Sequence, residues 1–145
     1  MLVVKMNIVR LDKDLPLPAY QTEQAAGLDL HAVDDAVILP EEIKVIKTGV
    51  KVEIPEGFEG TIRGRSGLAF KHRIYVTHIG TIDADYRGEL LVMLTNRGSE
   101  AFTIRRGDRI GQLIISPVAR VELNEVTELG SSQRGDKGFG STGTN

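Results

Sequence analysis

The chain has 145 residues, 41% hydrophobic and 26% charged, with a formal net charge of −2. That suits one domain with a sizeable core and argues against the strongly basic surface that sequence-independent binding to long nucleic acid requires. It has no cysteine, which excludes disulfides, a thiolate nucleophile and a thiolate metal site.

Met1-Leu2-Val3-Val4-Lys5-Met6-Asn7 turns polar too early for a secretory segment, and no apolar run reaches membrane-spanning length. The expectation is a soluble, cytoplasmic protein without a membrane or stable nucleic-acid partner. Val4, Met6 and Ile8 alternate with Lys5, Asn7 and Val9, which predicts an early strand with one buried face. Leu15-Pro16-Leu17-Pro18 breaks regular structure. In the next segment, Ala25 to Ala32, Leu28 and Leu30 point one way and Asp29 the other; an inward Asp29 would need a partner such as a hydrated cation. Ala36-Val37-Ile38-Leu39-Pro40 reads as a short strand, and Gly49-Val50-Lys51-Val52-Glu53-Ile54-Pro55 alternates until Pro55-Glu56-Gly57 ends it. Gly60-Thr61-Ile62-Arg63-Gly64 begins another.

Ser66-Gly67-Leu68-Ala69-Phe70-Lys71-His72 is the one helical segment, about two turns, with Ser66 as its N-cap. Arg65 and the free N–H groups of that first turn would then face an anion together. Ile74, Val76 and His78 alternate with Tyr75, Thr77 and Ile79 and lead into Gly80-Thr81-Ile82-Asp83-Ala84-Asp85-Tyr86-Arg87-Gly88-Glu89. Here two carboxylates, an aromatic and an arginine stand between glycines that allow sharp turns, as in a hairpin carrying chemistry; taken alone, a structural turn is the commoner use of such residues. Leu90-Leu91-Val92-Met93-Leu94-Thr95 is apolar on both faces and predicts a central strand buried on two sides. Turns follow at Asn96-Arg97-Gly98 and Arg105-Arg106-Gly107-Asp108, and Arg109-Ile110-Gly111-Gln112-Leu113-Ile114-Ile115 is a strand with Gln112 its odd polar member. Pro117 to Leu129 supplies a last alternating segment. Many short strands, regular turns and almost no helix predict an all-β jelly roll, barrel or sandwich over residues 1–129.

Residues 130–145 differ in character: five are glycine, and Phe139 is the one aromatic. A polar terminus is the plain reading, and an arm that orders on a ligand the sharper one. Gly138-x-Gly140-x-x-Gly143 spells a dinucleotide fingerprint but lacks a following βα unit. What survives is local: Gly, Ser and Thr donors suited to phosphate oxygens, with Arg134 adding bidentate charge. Two Arg-Gly-Asp tripeptides, at 106–108 and 134–136, read as turns rather than as adhesion sites.

Five segments, 26–32, 64–70, 80–89, 107–114 and 134–143, resemble in order and type the motifs of the trimeric dUTP pyrophosphatases (dUTPases). The resemblance spans nearly the whole chain, with Arg-Ser-Gly-Leu-Ala, Ile-Asp-Ala-Asp-Tyr-Arg-Gly and Gly-Phe-Gly-Ser-Thr-Gly its most specific parts. It implies a jelly-roll homotrimer with sites between subunits, the C-terminal arm of one chain closing over a site formed by others. Asp83 then matches the general base that activates water for attack on the α-phosphorus of dUTP, giving dUMP and pyrophosphate. This reaction limits uracil incorporation into DNA and supplies dUMP for dTMP synthesis.

Tyr86 matches the aromatic that packs on the deoxyribose and excludes a 2′-hydroxyl, while backbone at Gly80, Thr81 and Ile82 would read uracil. Arg65, Ser66, Gly67 and Gln112 match phosphate contacts. From the arm, Arg134 would neutralise transition-state charge, Phe139 stack on uracil, and Gly140, Ser141 and Thr142 hold phosphate. Asp29 would touch the hydration shell of a Mg2+ held mainly by the triphosphate, and an adjacent arginine or metal would keep Asp83 ionised. One departure is that no Asn precedes the hairpin; His78 lies near that position, as a uracil contact or simply as a strand histidine. The dCTP deaminases share the fold, but Gly67 after Ser66 and Ala84-Asp85-Tyr86 after Asp83 favour the pyrophosphatase.

Overall fold

The computed structural model describes residues 1–143. Among them are ten strands and one short helix: β1 (Asn7–Arg10), β2 (Leu28–His31), β3 (Ala36–Ile38), β4 (Ile43–Glu53), β5 (Phe58–Arg63), α1 (Ser66–His72), β6 (Ile74–Val76), β7 (Thr81–Ile82), β8 (Glu89–Asn96), β9 (Phe102–Ile104) and β10 (Arg109–Pro117). The strands form two four-stranded sheets, ordered β1-β4-β8-β6 and β2-β10-β5-β7, and a two-stranded β3-β9 ribbon. The protein is an all-β jelly roll, as its patterning predicts. Among the described residues no helix is long and apolar enough to cross a membrane.

Period-two alternation builds the core. Val50, Val52, Leu90, Val92, Leu94 and Ile74 come from the first sheet, Leu30, Ile62, Ile82, Ile110 and Leu113 from the second, Ile38 and Ile104 from the ribbon, and all are buried in one cluster. Burying each such side chain contributes roughly 1.5–3 kcal/mol, so the cluster is what fixes the register of both sheets. β4 is longer than the sequence pattern predicts, because the pairing shifts between Lys47 and Lys51. Gly49 sits in that irregularity with φ 72, a left-handed conformation that L side chains rarely adopt, so the strand bends there and continues.

Four expectations need correction. The early strand begins at Asn7 rather than Val4, and it has no buried face: paired only with β4 at the sheet's edge, it leaves both Ile8 and Val9 exposed. Central β8 buries one side only; Leu91 and Met93 are 44% and 38% exposed and lie opposite Lys47 and Val45 of β4. Among the described residues nothing fully covers this outer face. Beyond Pro117 there is no strand among the described residues: β2 and β5 already flank β10, and residues 118–129 run past both, leaving Val121, Leu123 and Leu129 exposed. Finally, Ser66 is not the N-cap of α1. Arg65 occupies that place in extended conformation without a side-chain cap bond, and Ser66 is the first helical residue.

Candidate active site

Residues 80–89 differ from a simple hairpin in an informative way. The antiparallel partners are β6 and β8, paired through Ile74↔Asn96 and Val76↔Leu94, and the connection between them crosses to the other sheet, where Thr81 and Ile82 pair with Thr61 and Gly60 of β5. Gly60 makes that close approach fit, since a Cβ there would press on Ile54, Leu113 and Ile82. Ile82 drops into the core and Thr81 faces out. A turn closed by the Tyr86 N–H donating to the Asp83 carbonyl (3.1 Å) then leaves the Asp83 and Tyr86 side chains exposed. The Tyr86 hydroxyl donates back to the Glu89 carbonyl at 2.9 Å, its ring lying where only a glycine at 88 leaves room. Together with Ile62, Glu89, Leu90 and Leu91 these residues line a cavity of about 210 Å3.

Arg87, next along the chain, is engaged with backbone and with the opposite sheet. Its guanidinium donates to the carbonyls of Ala84 (2.6 Å) and Tyr86 (3.1 Å) and pairs with Glu53 at 3.4 Å.

A second cavity of about 290 Å3 is lined by Gln21, Ala25, Gly27, Asp29, Arg65, Ser66, Gly67, Arg109 and Gln112. Strand order explains the grouping: β2 and β10 are neighbours, Asp29 faces Gln112 in register, and Gln112 also faces Arg63, one residue before the loop into α1. Asp29 is 8% exposed, and the partner it finds is Arg109, whose Nη1 donates to its Oδ2 at 3.2 Å. Arg65 Nη1 donates to the Arg109 carbonyl (3.1 Å), and Gln112 Nε2 to the Gly64 carbonyl (3.0 Å). Burial holds His31, opposite Arg109 in register, below the ordinary imidazole value of 6.5, against the opposing pull of Asp29. Cations, a hydroxyl and first-turn N–H groups around a recess are groups that could meet an anion together.

The structure therefore brings Asp29, Arg65, Ser66, Gly67 and Gln112 into one cavity and Gly80, Thr81, Ile82, Asp83 and Tyr86 into another, and the two share no residue. β2 and β7 occupy opposite edges of their sheet, about 14 Å apart at roughly 4.8 Å per strand. His78 is exposed and lines neither cavity. Arg134, Phe139, Gly140, Ser141 and Thr142 also line neither; the Arg134 side chain donates to the Lys137 carbonyl (2.9 Å), within the arm, and Phe139 is fully exposed with φ 35. Thr144 and Asn145, the end of the predicted arm, lie outside the described residues.

Sequence reasoning missed Arg109, Gly27 and Arg87. Arg109 opens β10 directly after an Arg-Gly-Asp turn that looked merely structural, and the other two are recognisable only from what lies across the fold.

The sequence model of the dUTPase family matches residues 13–143, and the chain belongs to that family. The deoxyuridine 5'-triphosphate nucleotidohydrolase of Nautilia profundicola is 52% identical over 141 residues, covering 97% of this chain and 99% of the relative. That of Anaplasma marginale is 50% identical over 147 residues, covering 98% and 100%. Among solved structures, the Staphylococcus bacteriophage 80alpha dUTPase with dUPNHPP superposes with a TM-score of 0.91 at 32% identity, covering 98% of this chain and 100% of that one. The dUTPase of Staphylococcus aureus phage phi11, described for its structural Mg(II) ion, gives 0.82 at 28% identity over 88% and 100%.

Proposed function

We propose that the protein hydrolyses dUTP to dUMP and pyrophosphate, with Asp83 as the general base for water attack on the α-phosphorus. The observation that carries this reading is the cavity walled by residues 80–82 with Asp83 and Tyr86 at its rim. At about 210 Å3 it is smaller than sites that enclose whole cofactors and suits a base with its sugar. Backbone donors and acceptors of Gly80, Thr81 and Ile82 read the uracil edge, and the Tyr86 ring packs where a 2′-hydroxyl would project. A triphosphate carrying about four negative charges needs cations and donors around it. Arg65, Ser66, Gly67 and Gln112 supply them from the second cavity, with Arg109 beside them. Arg134, Phe139, Gly140, Ser141 and Thr142 complete the enclosure when the arm of residues 130–145 closes.

Asp29 fits a magnesium ion only at one remove. It is a single hard oxygen donor already paired with Arg109, and among the described residues no three His, Asp or Glu groups converge. Mg2+ would be held mainly by the triphosphate, with Asp29 reaching its water shell, and would supply charge neutralisation and orientation of the phosphates.

A homotrimer with sites between subunits is the assembly that suits these features. The two cavities share no residue, an apolar strip of Ile43, Val45, Leu91, Met93 and Tyr75 lies open on the first sheet, and residues 118–129 carry exposed apolar side chains. The protein would work in the cytoplasm, restricting uracil incorporation into DNA and providing dUMP for dTMP synthesis.

The test is pyrophosphate release from each deoxynucleoside triphosphate, with and without magnesium, by the native protein and by Asp83→Ala. Release specific to dUTP and largely abolished by the substitution is expected. Ammonia from dCTP without pyrophosphate from dUTP would instead place the protein with the deaminases.

A further inference from the structure

We infer that Arg87 is the positioning residue of the 83–86 turn, fixing where Asp83 and Tyr86 stand by gripping the backbone between and behind them; the inference rests on the roles proposed above for those two residues. Its Nη1 donates to the Ala84 and Tyr86 carbonyls, which the turn's own Tyr86-to-Asp83 bond leaves free. Its Nη2 reaches Glu53 Oε1 at 3.4 Å, while Glu53 Oε2 accepts from Asn7 Nδ2 at 2.8 Å. Asn7 and Glu53 are register partners on β1 and β4. The grip is thus anchored in the sheet opposite to the one that β7 joins, and the turn is held from both layers.

The exposure of these groups decides what the grip does. Arg87 and Glu53 side chains are 55% and 51% exposed, so their ion pair adds little to stability. Geometry is more sensitive: a base about 1 Å out of place costs up to roughly 100-fold in rate. Without the guanidinium, the peptide planes after Ala84 and Tyr86 are free to rotate, carrying the Asp83 carboxylate and the Tyr86 ring with them. The second pin, the Tyr86 hydroxyl on the Glu89 carbonyl, holds only the far end of the ring. Arginine is suited to this because one Nη can bond carbonyls while the other meets a carboxylate, whereas a lysine ammonium is a single point donor.

The experiment compares native protein with Arg87→Met, Arg87→Lys and Glu53→Gln for kcat and KM on dUTP and UTP and for thermal unfolding. Arg87→Met is expected to lower kcat on dUTP on the order of tenfold, to change KM less, and to narrow the preference for dUTP over UTP, while the unfolding midpoint stays near native. Arg87→Lys should recover part of the rate, and Glu53→Gln should move both readouts the same way by less. Native kcat and selectivity in Arg87→Met would overturn the inference, as would a loss accounted for wholly by unfolded protein. Native protein inactive on dUTP would overturn the proposed function itself, whereas active native protein with an indifferent Arg87→Met would remove only the role of Arg87.

Discussion

The side chain of Gln112 lies across Gly27: a Cβ at position 27 would come within 2.5 Å of its Oε1 and 2.9 Å of its Cβ. The first atom could swing aside, but the second belongs to the rigid root of the side chain on β10. Gly27→Ala should therefore push Gln112 off the Gly64 carbonyl. We expect a loss of about 1–3 kcal/mol in denaturant unfolding, with a raised KM for dUTP because the phosphate side of the site is displaced. An unchanged KM would show that Gln112 does not meet substrate.

His31 gives the protein an acid-sensitive contribution. Burial favours its neutral form, so its folded-state value lies below 6.5 and the unfolded chain binds more protons in the window between the two. Stability from this source is fully present above pH 6.5 and is lost as pH falls through the folded value; Asp29 opposes the shift and Arg109 adds to it. Asp12, held below 3.8 mainly by the Arg106 guanidinium, adds a loss of the same sign at lower pH. Urea midpoints at pH 7.5 and 5.5, two values chosen to bracket about 6.5, should differ more for native protein than for His31→Asn. Equal differences would mean that another group titrates.

Asn96, in a turn signal by sequence, is fully buried in the structure and acts as a hub. Its Nδ2 donates to the Ile38 (2.8 Å) and Glu100 (2.7 Å) carbonyls, and its Oδ1 accepts from the Gly98 N–H (2.8 Å). Asn96→Ala strands all three and should cost about 2–3 kcal/mol of unfolding free energy. Asn96→Asp should be worse, since it turns an acceptor toward two carbonyl oxygens. An Asp variant as stable as native protein would contradict this pattern.

Removal of residues 130–145 separates the arm from the body. The hydrogen bonds described for residues 130–143 all stay within that segment, so the truncated protein should unfold at nearly the native temperature. Its turnover of dUTP should nevertheless fall steeply, measured as pyrophosphate release. Undiminished turnover would leave the arm without a catalytic role.

The sequence was most informative where local chemistry and period decide structure. Alternation located β2 and the later half of β4, apolar runs located β8 and β10, and the glycines bounded the 80–89 connection, because those signals reside within a few residues. It misled where the outcome depends on a neighbour. Leu91 and Met93 read as core because they are apolar, and residues 118–129 as strand because they alternate, yet Leu91 and Met93 stay partly exposed and, among the described residues, 118–129 find no strand to pair with. Gly27, Arg109 and Arg87 escaped notice because each acquires its use across the fold, from Gln112, Asp29 and Glu53. The crossing of residues 80–82 to a different sheet is likewise invisible to a pattern of turns.

The separation of the two cavities bears on genetics as well as on chemistry. On the proposed assembly, a chain carrying Asp83→Ala spoils only the nucleoside half of a site, and one carrying Arg65→Ala only the phosphate half, and each alone should be inactive. Refolded together, the two dead proteins should complement, since a fraction of hybrid sites would draw an intact half from each parent. Two null alleles would thus rescue one another within one cell, and a single damaged copy would poison partners it never touches chemically.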